Sequence, residues 1–145
     1  MKRILSIVIT AILAGAFAFT GLAPASATPR TGDLHITKEC SEFQGEAGGF
    51  CTITSSNLKA IPIGSRVIYR DALVYPVLNT DIVLDTGPGN KAFGHVVLNL
   101  ATGIGTVTFF GGTGQFRHFH ASAAVSSLGG FDWAWNGTYS FSPDD

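Results

Sequence analysis

Short runs of apolar or alternating residues, separated by glycine-rich turns, make up most of this chain. Two such turns are Thr86-Gly87-Pro88-Gly89-Asn90 and Gly111-Gly112-Thr113-Gly114, and the 18 glycines exceed the usual share of about 7%. Runs such as 50–55 alternate and are rich in β-branched residues, which is typical of strands. No segment repeats its apolar residues at the helical period over three turns. The sequence therefore predicts an all-β chain.

About eight strands are predicted. They are 34–37, 50–55, 66–73, 81–85, 91–100, 106–110, 115–126 and 131–141. Their short connections favour antiparallel neighbours, because parallel pairs need long crossovers. Eight strands without covering helices either split into a sandwich or close into a barrel. The pattern alone leaves both architectures open.

The first 27 residues have the features of a secretory signal peptide. A basic start, Met1-Lys2-Arg3, precedes an apolar run over 4–19 and the cleavage signal Ala25-Ser26-Ala27. Removal of residues 1–27 leaves a single domain over 28–145, which we expect to be secreted.

The charge balance excludes some partners. Loss of Lys2 and Arg3 changes the formal net charge from −1 to −3, which offers no electrostatic footprint for nucleic acid. No segment after residue 27 approaches the roughly 18 apolar residues of a membrane span. We therefore expect neither nucleic-acid partners nor membrane association after cleavage.

The two cysteines, Cys40 and Cys51, both lie in the predicted secreted part. An even number of cysteines in an exported chain predicts a disulfide. A disulfide that closes a loop of this size would stabilise the folded protein by about 3 kcal/mol. A reactive thiol or half of a metal site is the alternative for the same pair.

Four segments of the C-terminal half, of which Gly111 to Phe116 is the most telling, form a recognisable pattern. They are Gly94–Leu100, Gly103–Val107, Phe110–Phe116 and Trp135–Phe141. In these segments the chain resembles the allene oxide cyclase and dirigent protein superfamily. The resemblance implies an eight-stranded antiparallel, calycin-like β-barrel whose lumen holds a hydrophobic small molecule, with oligomers among the relatives. It also implies cyclase-like or dirigent-like action, mainly by shaping the substrate. No catalytic residues of the family map onto this sequence.

Polar and aromatic residues on strand faces are the candidate ligand-binding residues. A histidine or aspartate directed into a barrel could serve in proton transfer. The tryptophans share one face of the last strand and form either a stacking wall or core. The candidates are Tyr69, Asp71, His95, Asn99, His118, His120, Trp133 and Trp135.

His118 and His120 flank Phe119 and would lie on the same side of a strand, a spacing that can ligate a metal. A third ligand would be needed, and two histidines on a solvated face are common. We therefore predict no metal and no cofactor.

The sequence supports two functional hypotheses. The first is a secreted barrel that binds an apolar or phenolic small molecule in its lumen, with cyclase-like or dirigent-like action. The second is a non-catalytic secreted module that acts through its outer surface or by self-association as a homo-oligomer. Catalytic residues are not assigned under either hypothesis.

Overall fold

The computed structural model describes residues 30–142, which form a closed barrel of eight antiparallel strands. Each strand pairs with its neighbours in the sequence, and β1 pairs with β8 to close the barrel. The predicted signal peptide lies outside the described residues. The strands are β1 (Thr31–Glu39), β2 (Phe50–Ser56), β3 (Arg66–Tyr69), β4 (Val77–Asp85), β5 (Lys91–Asn99), β6 (Ile104–Gly112), β7 (Phe119–Gly129) and β8 (Asp132–Phe141).

Buried and exposed side chains alternate along most of the strands. In β1, Leu34 and Ile36 are buried, whereas Asp33 and His35 are exposed. Because successive side chains point to opposite faces, one face of each strand fills the interior and the other meets solvent. The pairing of β1 with β8 closes the sheet, so the predicted all-β barrel is confirmed and the sandwich is excluded.

Several strand boundaries differ from the sequence prediction. β3 ends at Tyr69 rather than at residue 73, and β4 begins four residues earlier than predicted, at Val77. Strand β7 begins at Phe119, because Gly114–Phe116 forms one turn of 3-10 helix. The side chain of Asn90 holds that turn by accepting a hydrogen bond from the Gln115 amide at 3.0 Å.

The two ends of the barrel are built differently. At one end the fully buried side chains of Ile61 and Phe116, from the β2–β3 and β6–β7 connections, close the interior. At the other end the long β1–β2 loop, residues 40–49, lies beside the turns that follow β3, β5 and β7. We call this second end the mouth.

Within residues 30–142, no helix is long and apolar enough to cross a membrane.

Candidate functional site

A cavity of about 210 Å³ lies at the mouth, and we call it the mouth pocket. Leucine side chains from β4, β5 and the adjoining connections form much of its wall. Its lining residues are Lys38, Cys40, Phe43, Gln44, Gly45, Cys51, Tyr69, Leu73, Leu78, Leu98, Leu100, Gly130, Phe131 and Trp133. An apolar wall with a few convergent polar groups is the usual composition of a small-molecule site.

Lys38 is the only buried charged residue among residues 30–142, with 3% of its surface exposed. It is directed inward because it continues the alternation of Leu34 and Ile36 along β1. Its Nζ donates a hydrogen bond to the Tyr69 hydroxyl. No carboxylate in the described part of the chain forms an ion pair with it. Burial lowers the pKa of Lys38 from 10.5 to about 7, because the charged form loses its hydration.

The Trp135 ring faces the Lys38 amine, with its centroid 5.0 Å from Nζ. The Tyr69 centroid is 5.2 Å from Nζ, but the amine lies at the hydroxyl edge of that ring, where it is hydrogen-bonded. Aromatic faces attract cations, so Trp135 offsets part of the cost of placing a positive charge here. The indole N–H of Trp135 is buried and has no hydrogen-bond partner among the described residues.

Tyr69, the last residue of β3, links the lysine to the disulfide. The structure confirms the Cys40–Cys51 bond, and the Tyr69 hydroxyl lies 3.3 Å from Cys51 Sγ. A disulfide sulfur carries no proton, so the hydroxyl donates to it. Burial raises the pKa of Tyr69 well above its ordinary value of 10, so the phenol stays protonated.

The loop closed by this disulfide forms part of the pocket wall. Backbone hydrogen bonds from Gly48 N to Tyr69 O, 2.7 Å, and from Leu73 N to Gly45 O, 2.8 Å, fasten it over the mouth. Phe43 of the loop stacks on the Tyr69 ring. The disulfide was predicted as a structural clamp, and the structure places both of its cysteines in the pocket lining as well.

Charge is distributed unevenly between the two ends. Five acidic residues lie at strand ends or turns around the mouth, with Arg70 as the one exposed basic residue there: Glu39, Glu42, Glu46, Asp71 and Asp132. Five basic residues lie at the opposite end: Arg30, Lys59, Arg66, Lys91 and Arg117. The acidic rim gives the mouth a negative potential, which disfavours the approach of anionic ligands.

The structure brings three of the predicted site residues into the mouth pocket or against it. Tyr69 and Trp133 line the pocket, and Trp135 lies in the adjoining core with its ring over Lys38. Asp71 is exposed just beyond β3, where its carboxylate accepts a hydrogen bond of 3.3 Å from Thr80 Oγ1.

Two further candidates lie outside the barrel. On the outer face of the sheet, the ring nitrogens of His95 lie 2.7 Å from Asp81 Oδ1 and 2.6 Å from Asn79 Oδ1. Asn99 shapes the β5–β6 turn, where its Oδ1 accepts hydrogen bonds from the amides of Ala101 and Thr102. Neither side chain belongs to the mouth pocket.

His118 and His120 do not share a strand face. His118 lies in the turn before β7, and its Nδ1 is buried without a hydrogen-bond partner among the described residues. His120 lies on β7 and lines a shallow outer depression of about 610 Å³ with Asp33 and Ser122. Residues 30–142 contain no cluster of three or more His, Cys, Asp or Glu side chains arranged to hold a metal.

The sequence prediction missed Lys38, although the signal was present. The first strand was predicted to end at Thr37, two residues too early. Continuing the alternation of Leu34 and Ile36 by one more step places Lys38 on the apolar face. A lysine in phase with buried residues is rarely accommodated without a partner, so it marks a candidate site.

Comparison with protein-family models, with curated proteins and with solved structures finds no match to this chain. The chemistry of the site therefore follows from its own geometry. A buried amine, a protonated phenol and apolar walls can bind one polar group of a largely apolar molecule and exchange protons with it.

Proposed function

We propose that this protein is a secreted β-barrel that binds an apolar or phenolic small molecule in the mouth pocket, with the ligand's polar group directed to Lys38 and Tyr69. The observation that carries the proposal is the hydrogen-bonded pair of these two residues in an otherwise apolar cavity. Burying an amine costs free energy, and groups buried at such a cost are concentrated at binding and catalytic sites.

The size of the cavity limits the ligand. Large side chains such as Trp135, Phe109 and Phe119 fill the middle of the barrel, so the ligand occupies the mouth rather than a continuous lumen. The volume of about 210 Å³ exceeds the roughly 150 Å³ of an apolar cavity that holds benzene in another protein. The pocket therefore suits a single ring with a short substituent.

The rim adds a second constraint on the ligand. Carboxylates at Glu39, Glu42 and Asp132 surround the entrance, whereas the only amine within is Lys38. Long-range repulsion of anions makes a neutral ligand, such as an alcohol, phenol or carbonyl compound, the better fit.

The disulfide supports the secretory part of the proposal, because such bonds persist in oxidising compartments. We extend the proposal to cyclase-like or dirigent-like action, in which the pocket holds a reactive substrate in one conformation. The support for this extension is the barrel architecture that the superfamily resemblance implies.

Benzyl alcohol tests the binding proposal, because it is a neutral single ring with one hydroxyl. At 100 times its Kd, a ligand that binds only the folded state stabilises it by about 2.7 kcal/mol. For a domain of this size that corresponds to a rise in Tm of roughly 10 °C. We expect the rise in wild type and in Val97→Phe, whose side chain is on the outer face, but not in Leu98→Phe, which fills the pocket.

An equal rise in Leu98→Phe would place the ligand elsewhere, and no rise in wild type would refute binding of this ligand class. Each variant is compared with its own unliganded Tm, so any destabilisation by the larger side chain does not affect the result.

Self-association is a second candidate function, because exposed apolar side chains cluster beside the mouth on β4, β5 and β6. Val77, Val97 and Ile104 have exposures of 36%, 44% and 66%, and cross-strand pairing brings them together. If this patch mediates self-association, sedimentation equilibrium will show a concentration-dependent oligomer that Ile104→Lys disrupts. A monomer at all concentrations would refute this candidate.

A further inference from the structure

Resting on the proposed function, we propose that Lys38 is a nucleophile that forms an imine with an apolar aldehyde or ketone bound in the mouth pocket. Lys38 lines the cavity, and its amine is hydrogen-bonded to Tyr69, which lines the same cavity, so the amine lies within reach of a carbonyl carbon bound there. The apolar walls bind the rest of such a molecule. This assigns both a substrate class and a covalent step to the site.

The surroundings of Lys38 favour a nucleophile over a structural cation. A structural cation in a protein interior is normally paired with a carboxylate, and Lys38 has none in the described part of the chain. Tyr69 is the titratable side chain in contact with it, and the disulfide sulfurs nearby carry no charge. The lowered pKa leaves a large fraction of the amine neutral at pH 7, with its lone pair available for attack.

The reaction is balanced without an oxidant or reductant. The Nζ lone pair forms a bond to the carbonyl carbon, and the carbonyl π electrons move to oxygen. A proton passes from nitrogen to that oxygen and gives a carbinolamine. The hydroxyl then leaves with a second proton as water, while the remaining nitrogen electrons form the C=N bond. The products are one imine and one water.

Tyr69 and Trp135 fit the needs of this reaction. The Tyr69 phenol remains protonated and is hydrogen-bonded to Nζ, so it can donate a proton to the oxygen and recover one from the nitrogen. Protonation of the imine by solvent produces a cation, which the face of the Trp135 ring would stabilise. The site therefore favours both dehydration and retention of the imine.

Benzaldehyde with cyanoborohydride tests the proposal, because reduction makes the imine permanent. Intact-mass analysis of the secreted protein should show addition of one benzyl group, and peptide mapping should place it on Lys38. At pH 7 we expect Lys38 to be labelled at least about tenfold faster than the exposed Lys59, since only neutral amine reacts. Benzyl alcohol should compete, Lys38→Met should abolish the fast phase and Lys59→Met should leave it unchanged.

The outcomes separate this inference from the proposed function. If benzyl alcohol raises the Tm but benzaldehyde labels Lys38 no faster than Lys59, the imine is refuted and the binding function stands. If benzoate binds more tightly than benzyl alcohol, Lys38 acts as a cationic anchor, and the nucleophile is refuted. If benzyl alcohol does not bind and Lys38 shows no preferential labelling, both proposals fail.

Tyr69→Phe tests the proton-transfer role separately. It should slow labelling of Lys38 by about tenfold or more. Benzyl alcohol binding to the same variant reports whether the pocket remains intact. Unchanged labelling with intact binding would refute a role for the phenol in imine formation.

Discussion

The rings of Phe43 and Tyr69 stack with centroids 4.5 Å apart and planes inclined by 28°. This contact joins the disulfide loop to the pair of polar residues at the mouth. Tyr69 also reaches the disulfide sulfur and the Lys38 amine through its hydroxyl. The loop, the phenol and the amine therefore form one connected unit, and changes in the loop should alter ligand affinity in the pocket.

Phe43→Ala should weaken benzyl alcohol binding by about three- to tenfold, because aromatic pairing contributes about 0.5–1.5 kcal/mol beyond area burial. Isothermal titration calorimetry measures the change. Phe110→Ala removes a 58% exposed ring on the outer face and is the matched control. Equal affinities in the two variants would contradict a role for Phe43 in the site.

Removal of the disulfide by Cys40→Ala with Cys51→Ala should lower the free energy of unfolding by roughly 3 kcal/mol, from lost loop constraint. Ligand affinity should also fall, because the loop no longer holds Phe43 against Tyr69. Urea unfolding and calorimetry measure the two effects. A stability loss with unchanged affinity would restrict the disulfide to the clamp role predicted from sequence.

Stability should rise with pH between about 7 and 10. In this interval the unfolded chain keeps the Lys38 proton up to its ordinary pKa of 10.5, whereas the folded protein loses it near 7. The unfolded state then binds more protons, so increasing pH favours folding. Above about 10 the trend should reverse, because unfolded tyrosine ionises while folded Tyr69 keeps its proton.

Lys38→Met tests whether Lys38 causes the rise in stability with pH. The substitution should abolish the increase in stability between pH 7 and 10. It should also stabilise the protein at pH 7 by about 3 kcal/mol, because an apolar side chain replaces an amine without a carboxylate partner. Urea unfolding across the pH range measures both effects. Lys59→Met, at an exposed position, should change stability by less than about 0.5 kcal/mol. Retention of the rise in Lys38→Met would assign it to another group.

His95, on the outer face, should not contribute to the mouth pocket. His95→Ala should bind benzyl alcohol with affinity within about twofold of wild type, which is within the small effect expected for a distant surface site. Trp133→Ala, within the pocket, should weaken binding by at least about tenfold. Loss of affinity in His95→Ala would relocate the site to the outer face.

Strand alternation predicted the all-β class because it is a local property that the sequence displays directly, whereas the barrel was implied by the superfamily resemblance. In β3, Val67 and Tyr69 share one face, and both are buried. The same rule failed for His118 and His120, because the turn around Phe116 interrupts the strand before Phe119. The spacing of apolar residues cannot predict such a turn, because its geometry depends on a hydrogen bond from the Gln115 amide to Asn90, 25 residues away.

The candidate site was only partly predictable for a similar reason. Tyr69 and Trp133 were identified because aromatic and polar side chains on strand faces are conspicuous. Lys38 meets Tyr69 only because barrel closure brings β1 and β3 around one mouth, a contact between residues 31 positions apart. The sequence likewise could not show whether His95 points into the barrel or outward, because that depends on which face of β5 meets solvent.

A heteronuclear NMR titration of the unliganded protein with benzyl alcohol tests the central claim most directly. We predict saturable shifts at the methyl groups of Leu78 and Leu98 and at the Lys38 side chain, with Val97 and His95 unaffected. Absence of saturable shifts at the mouth, or shifts confined to the outer face, would contradict the assignment of the mouth pocket as the binding site.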